Sequence, residues 1–242
     1  MALPAEEVAA LVPCHREPPA AELLAEVRAR VGSVLVVNDG MGEGPTRELE
    51  GRAARLGLEA LHLGANRGKG HAIAAGIGEL RGRARPPAGV LVVDADGQHP
   101  PAAIPRFLEA SGRAELVIGN RFADGGDGMP PVRHASNRFV SRVVSRATGT
   151  HVPDSQCGMR LLHGRALHVE FPGGGMESET RHLIDCLRAE VPTHWVPIPA
   201  IYEGQPTSFR RLRDSLSVLH AAFTSPPPAA TIKGPPRGGA AR

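Results

Sequence analysis

In the first half of the chain, apolar residues come in short unbroken runs rather than in alternation. Val8 to Val12 and Val34 to Asn38 read as buried strands, Val90 to Val93 and Leu116 to Gly119 as further apolar strands, and Leu58 to Leu63 as a short strand. Helical spacing separates several of them, over Ala21 to Arg30, Thr46 to about Leu56, and His71 to Leu80 after a Gly-rich loop. This alternation predicts an α/β fold built on a mostly parallel sheet flanked by helices. Ligands in such sheets bind outside the carboxyl ends of the strands.

The second half is less regular. Ser136 to Ala147 and Met176 to Ala189 read as helices and Trp195 to Ile201 as a strand. A last helix is expected over Arg213 to Phe223, where Leu216, Leu219, His220 and Phe223 would cover the sheet or touch a membrane. From Ser225 the chain is Pro, Gly, Ala and basic residues with nothing to pack. The expectation is one domain over 1–224 and a disordered tail over 225–242, without internal repeats.

Composition changes this picture little. A chain of 242 residues, 41% hydrophobic, suffices for one sizeable core. A net charge of +3 is too small to argue for nucleic acid by itself, and no cationic stripe with interleaved aromatics is visible. Cys14, Cys157 and Cys186 are too few and too widely spaced for a disulfide framework or a C-x-x-C metal site, which fits a reducing cytoplasm. The N-terminus lacks a charged region followed by an apolar one, so no signal peptide is expected. No apolar stretch reaches the ~18–20 residues of a spanning helix. Any work on a lipid would be done from the membrane surface.

Candidate chemistry gathers where strands end. One ends in Pro13-Cys14-His15-Arg16-Glu17, another in Asn38-Asp39-Gly40, a third in Asp94-Ala95-Asp96. Each alone is explained by the turn-forming habit of Asp and Asn. Together they place carboxylates at one sheet edge. In an extended segment residues i and i+2 point the same way, so Asp94 and Asp96 would repel unless a cation lay between them. Carboxylates suit hard ions such as Mg²⁺ or Mn²⁺. His99 is either a further ligand or a surface residue at a helix start. In Asn66-Arg67-Gly68-Lys69-Gly70 the glycines admit close backbone approach, and a helix N-terminus attracts anions. Arg67 and Lys69 would reach phosphates. Neither P-loop spacing nor G-x-G-x-x-G after the first strand is present, which disfavours ordinary ATPases and dinucleotide dehydrogenases.

These motifs, in this order, resemble the family 2 glycosyltransferases of the GT-A fold, and within them the polyprenyl-phosphate (dolichyl-phosphate) mannosyl- and glucosyltransferases. The resemblance runs from Val8 to about Asp214. Asp94 to Pro100 is similar to the family's Asp-Ala-Asp-Gly-Gln-His-Pro, and Asp154 to Arg160 to its Asp-Thr-Gln-Cys-Gly-Phe-Arg. Pro13 to Glu17, Val36 to Gly40, Asn66 to Gly70, Gly119-Asn120-Arg121, Glu177-Ser178-Glu179 and Val196-Pro197-Ile198 with Tyr202 are weaker matches. His15-Arg16 stands where the family has Tyr-Asn, Asn38 where it has Asp, and Met41 where it has Ser.

The resemblance implies an inverting transferase that moves a sugar from a nucleoside-diphosphate sugar to an acceptor, a polyprenyl phosphate, with a divalent cation. It also implies a cytoplasmic enzyme with peripheral contact at the inner face of the membrane. By resemblance, Pro13, Glu17, Asn38 and Asp39 hold the nucleoside, with Lys69 nearby. Asp94, Ala95 and Asp96 meet the ribose, metal and diphosphate, the metal falling to Asp96 and Asp94. Arg121 and Gln156 lie along the sugar and acceptor, and Asp154, Glu177 and Glu179 are the acidic candidates there. Arg160 and Arg210 would bind an acceptor phosphate. The Asp-x-Gln-Cys-Gly form leans toward the glucosyl-type branch. Two alternatives stand beside this reading: a nucleotidyltransferase, which would want a Gly-rich basic loop after the first strand, and a non-catalytic nucleotide-sugar-binding module.

Overall fold

The structure, a computed structural model, describes residues 1–202 apart from 127 and 176. The expected helix over 213–223, the boundary at 224, the tail and Arg210 lie outside the described residues.

Seven strands are present among the described residues: β1 (Val8–Cys14), β2 (Ser33–Asp39), β3 (Glu59–Leu63), β4 (Gly89–Val92), β5 (Leu116–Asn120), β6 (Arg160–His163) and β7 (Thr193–Pro197). They form one sheet in the order β3-β2-β1-β4-β6-β5-β7. β1 pairs in parallel with β2 and β4, β2 with β3, and β5 with β7. β6 runs antiparallel to both β4 and β5. The mostly parallel expectation therefore holds, with one reversed strand. All seven residues of β1 are buried, and β4 is buried throughout. This is why both read as continuous apolar runs.

Among the described residues six α-helices flank the sheet: α1 (Ala21–Arg28), α2 (Glu43–Leu56), α3 (Lys69–Arg81), α4 (Ile104–Ala110), α5 (Pro131–Thr148) and α6 (Ser178–Arg188). Three start earlier than their sequence pattern predicts, and two of these, α2 and α5, do so for one reason. Pro45 sits in the first turn of α2 and Pro131 opens α5. Proline is tolerated in a first turn, because the N–H it lacks would have no partner there. α2 and α5 both end on a left-handed glycine, Gly57 and Gly149, which no side chain opposes.

α3 lies against β1 and β2. A Cβ on its Gly76 would overlap Leu11 Cδ1 and Val37 Cγ2, so the missing side chain lets the helix sit down on the sheet. α4 and β6 are absent from the sequence pattern. α4 has seven residues, too few for its period to register, and β6 opens on an arginine.

Candidate active site

The carboxyl ends of β1, β2, β4 and β5 share one edge of the sheet. Because β6 is reversed, its amino end reaches the same edge. The Asp154–Arg160 run therefore arrives beside Asp94 and Arg121. Helices α3 and α6 direct their N-termini toward this edge and are tied there. Gly70 N–H donates to the Gly174 carbonyl at 2.9 Å, and Gly174 N–H to His71 Nδ1 at 3.0 Å. A Cβ on Gly70 would overlap Ser178, so the helices meet where neither has bulk.

A buried ionic cluster occupies the centre. Lys69 Nζ lies 2.5 Å from Asp94 Oδ1 and 2.9 Å from Glu179 Oε2. Arg160 is fully buried and donates to the carbonyls of Glu179 and Cys157, both at 2.8 Å, with its guanidinium 3.9 Å from Glu179 Oε1. Two cations thus face two carboxylates. Burial alone would raise the Asp94 pKa, but Lys69, with His99 and Arg160, outweighs it and holds the group at about 2. Burial likewise works against the charge on Lys69, and Asp94 and Glu179 overcome it, raising its pKa. Gly158 lies against the Asp94 carboxylate, leaving no room for a side chain.

The expectation that Asp94 and Asp96 project together from an extended segment fails. β4 ends at Val92, and the chain turns through Gly97 at φ +73°. Asp94 points into the cluster. Asp96 is exposed, with Oδ1 accepting the Gln98 N–H at 3.0 Å. Ala95 between them is half-buried. His99 is no surface ligand: it is 2% exposed, 3.8 Å from both Asp94 Oδ2 and Cys157 Sγ, and burial lowers its pKa. Among the described residues no three His, Cys, Asp or Glu side chains gather as a metal cage. One exposed carboxylate beside this charge-balanced cluster does fit a hard divalent ion, which carboxylate oxygens suit.

Several other candidates have structural partners instead of open ones. Arg160 was expected at an acceptor phosphate. It lies in the core with its hydrogen bonds on backbone carbonyls, so it cannot reach a ligand. Asn38 was expected at the nucleoside. Its amide contacts Thr46 Oγ1 and His62 Nδ1, both at 3.0 Å, and its oxygen accepts the Met41 N–H at 2.7 Å. It shapes the turn after β2. Asp39 accepts the N–H groups of Arg67 and Gly68 at 3.0 and 2.8 Å, fixing the loop before α3. Asp154 is fully buried and accepts from Arg121 Nε at 2.8 Å, Arg121 Nη2 at 2.9 Å, and the N–H groups of Arg121 and Gln156. Burial would raise its pKa, but Arg121 lowers it. A carboxylate so satisfied orients Arg121 and is a poor proton acceptor.

Other candidates lie open at the edge. Pro13 is buried in β1, and Glu17 is exposed beyond it. Between them Arg16 takes φ +78°, while His15 binds the Asp39 carbonyl at 3.0 Å and Asn66 at 2.8 Å. Gln156 is half-buried, and its side-chain amide has no partner among the described residues. Glu177 is half-buried, with Oε1 on the Gly175 N–H at 3.0 Å. Arg121 is 9% exposed and donates through Nη1 to the Tyr202 hydroxyl at 3.1 Å.

One residue escaped the sequence reading. Arg133 on α5 is 8% exposed, stacks its guanidinium 5.1 Å from the Tyr202 ring centroid, and leaves Nε and Nη2 without hydrogen bonds. It thus stands as a second arginine beside Arg121. Nothing in the sequence separates it from the chain's many other arginines. The cysteines are all free and buried, with the Cys14 and Cys157 thiols pushed up to about 12 chiefly by burial, so neither is a nucleophile.

The profile described as "Glycosyl transferase family 2" matches residues 10–170, more than half of the chain. An undecaprenyl-phosphate 4-deoxy-4-formamido-L-arabinose transferase from Aeromonas hydrophila is 29% identical over 191 residues, covering 78% of this chain and 49% of that protein. Its namesake from Pseudomonas aeruginosa is 31% identical over 166 residues, covering 65% and 47%. The chain thus spans about half the length of the curated relatives it matches. Among solved structures, Mycobacterium tuberculosis glucosyl-3-phosphoglycerate synthase in complex with Mn²⁺, uridine diphosphate and glucosyl-3-phosphoglycerate superposes with a TM-score of 0.67 at 17% identity, covering 88% of this chain and 77% of that one. Mannosyl-3-phosphoglycerate synthase from Rubrobacter xylanophilus gives 0.63 at 19%, covering 88% and 72%. These are GT-A glycosyltransferases and share the fold described above.

Proposed function

The chain belongs to glycosyl transferase family 2, and from that premise we propose that it transfers a sugar from a nucleoside-diphosphate sugar to a polyprenyl phosphate with inversion. The observation that carries the donor half is Asp96, exposed on the Gly97 turn at the rim of the Lys69–Asp94–Glu179 cluster. The acceptor half draws on what the relatives are named for and on Arg121 and Arg133 beside Tyr202.

The donor diphosphate lies near the N-terminus of α3, where the helix dipole favours negative charge. Asp96 holds the divalent cation, Mg²⁺ or Mn²⁺. When bound, that ion neutralises charge on the departing diphosphate. Lys69 keeps Asp94 ionised and offsets its charge and that of Glu179 beneath the diphosphate. Asp39 holds the loop at Arg67 and Gly68, and Glu17 and Pro13 border the nucleoside.

An acceptor phosphate oxygen attacks the anomeric carbon from the face opposite the diphosphate. The new carbon–oxygen bond forms as the bond to the diphosphate breaks, which inverts the centre. A phosphate monoester has its second pKa near ~6 and is largely ionised at neutral pH, so it needs cations and positioning more than a base. Arg121, oriented by Asp154, and Arg133 supply the cations, and Gln156 lies alongside. Glu177 stands ready only for a hydroxyl acceptor.

The test is transfer of radiolabelled sugar from uridine-diphosphate sugars to a short polyprenyl phosphate, with and without Mn²⁺. Asp96→Ala is expected to abolish turnover while leaving the fold intact by circular dichroism. Full turnover by that variant would overturn the assignment.

A further inference from the structure

Three large hydrophobic side chains are well exposed among the described residues, and two of them, Val132 (72%) and Phe139 (54%), lie on α5. They are seven residues apart, two helical turns, and so share a face. Ala135 is exposed and Val143 half-buried on the same line. Alongside runs a second line at i, i+4 and i+8: Arg138, Arg142 and Arg146. None of these arginines pairs with a carboxylate among the described residues, and α5 itself contains four arginines and no acidic residue. The three arginines line a cavity of about 550 Å³ with His151, Ser141 and Ser145. Asn120 and Phe122 complete its wall, which brings it next to Arg121.

An apolar stripe flanked by unpaired arginines, over a basic cavity large enough for a phosphate-bearing headgroup, is the surface that an anionic bilayer complements. A second copy of this chain is a poor occupant, since the face would set three arginines against three. We propose that the outer face of α5 docks on an anionic phospholipid bilayer, with Phe139 and Val132 entering the interface and Arg138, Arg142 and Arg146 taking lipid phosphates. This deepens the acceptor part of the proposed function: the docked helix carries Arg133 and places the Arg121 side of the site at the lipid surface.

The full chain is sedimented with phosphatidylcholine vesicles, with and without phosphatidylglycerol. Binding is expected only with the anionic lipid, and it falls as salt is raised. The Arg138→Gln/Arg142→Gln/Arg146→Gln variant is expected to lose roughly fivefold in partitioning per arginine, on the order of a hundredfold in all. Phe139→Ser weakens binding at every salt concentration. None of these residues is among the groups assigned to the donor or the acceptor phosphate, so both variants are expected to keep wild-type transfer to a short-chain acceptor in detergent. Absence of vesicle binding, equal binding to neutral vesicles, or undiminished binding by the triple variant would each overturn the docking. So would capture by single-stranded RNA in place of vesicles. Loss of transfer in detergent by the wild type would instead count against the proposed function.

Discussion

Lys69 holds two carboxylates that would otherwise face each other and Arg160 across a dry space. Lys69→Met leaves an uncompensated buried negative charge and is expected to cost roughly 3 kcal/mol or more in urea denaturation. Asp94 in that variant should take up a proton well above its present pKa of about 2. A second titration lies apart from the site. His182 is fully buried, stacked on Phe171, and its pKa is pushed down to about 3 by burial and then by Arg160. Between about 6.5 and 3 the unfolded chain binds a proton here that the folded chain does not. Stability from this group is therefore complete above about 6.5 and declines as pH falls toward 3, by on the order of a few kcal/mol. His182→Leu should flatten that limb of the stability–pH curve. At this scale the sequence pointed to Asp96, Lys69 and Gln156, because motif spacing carries residue type. It did not show which way each side chain turns. Asn38, Asp154 and Arg160 look like ligands in linear order and become internal partners once the fold brings hydrogen-bonding groups to them.

Two glycines on one helix give opposite expectations. In α3, Gly76→Ala drives a methyl group into Leu11 and Val37, and overpacking costs about 1–3 kcal/mol. Gly78 has nothing within 4 Å of its missing Cβ, so Gly78→Ala gains roughly 0.5–1 kcal/mol of helix propensity. Thermal melts of the two variants should move apart in opposite directions from the wild type. Element by element, the first half was legible because each buried strand announces itself as an apolar run. The ends of helices were less so, since Pro45 and Pro131 read as breaks and act as first-turn residues. β6 stayed hidden because four residues headed by Arg160 carry no period. The arginine line on α5 follows from the helix expected over Ser136 to Ala147, since Arg138, Arg142 and Arg146 are four residues apart, but its exposure does not.

For the molecule as a whole, saturating ligand should register as stability. A nucleoside diphosphate with Mn²⁺ at about a hundred times its Kd adds ~2.7 kcal/mol. For a chain of this size that corresponds to a rise in Tm of about 5–10 °C. Asp96→Ala should remove most of the shift without changing the melting of the unliganded protein. A shift of unchanged size would place the metal and diphosphate elsewhere.

The reversed strand gives the site two different ancestries of shape. The residues proposed for the donor follow strands β1, β2 and β4, which pair in parallel. The segment 121–159 leaves β5, runs through α5, whose Val140 and Val144 join the core, and returns to the same edge as β6. Such a segment is exchangeable as a cassette. Grafting the corresponding segment of a relative between Asn120 and Arg160 should preserve nucleotide affinity and change which acceptor is glycosylated, a separation readable by measuring nucleotide Kd and acceptor choice on the same chimera.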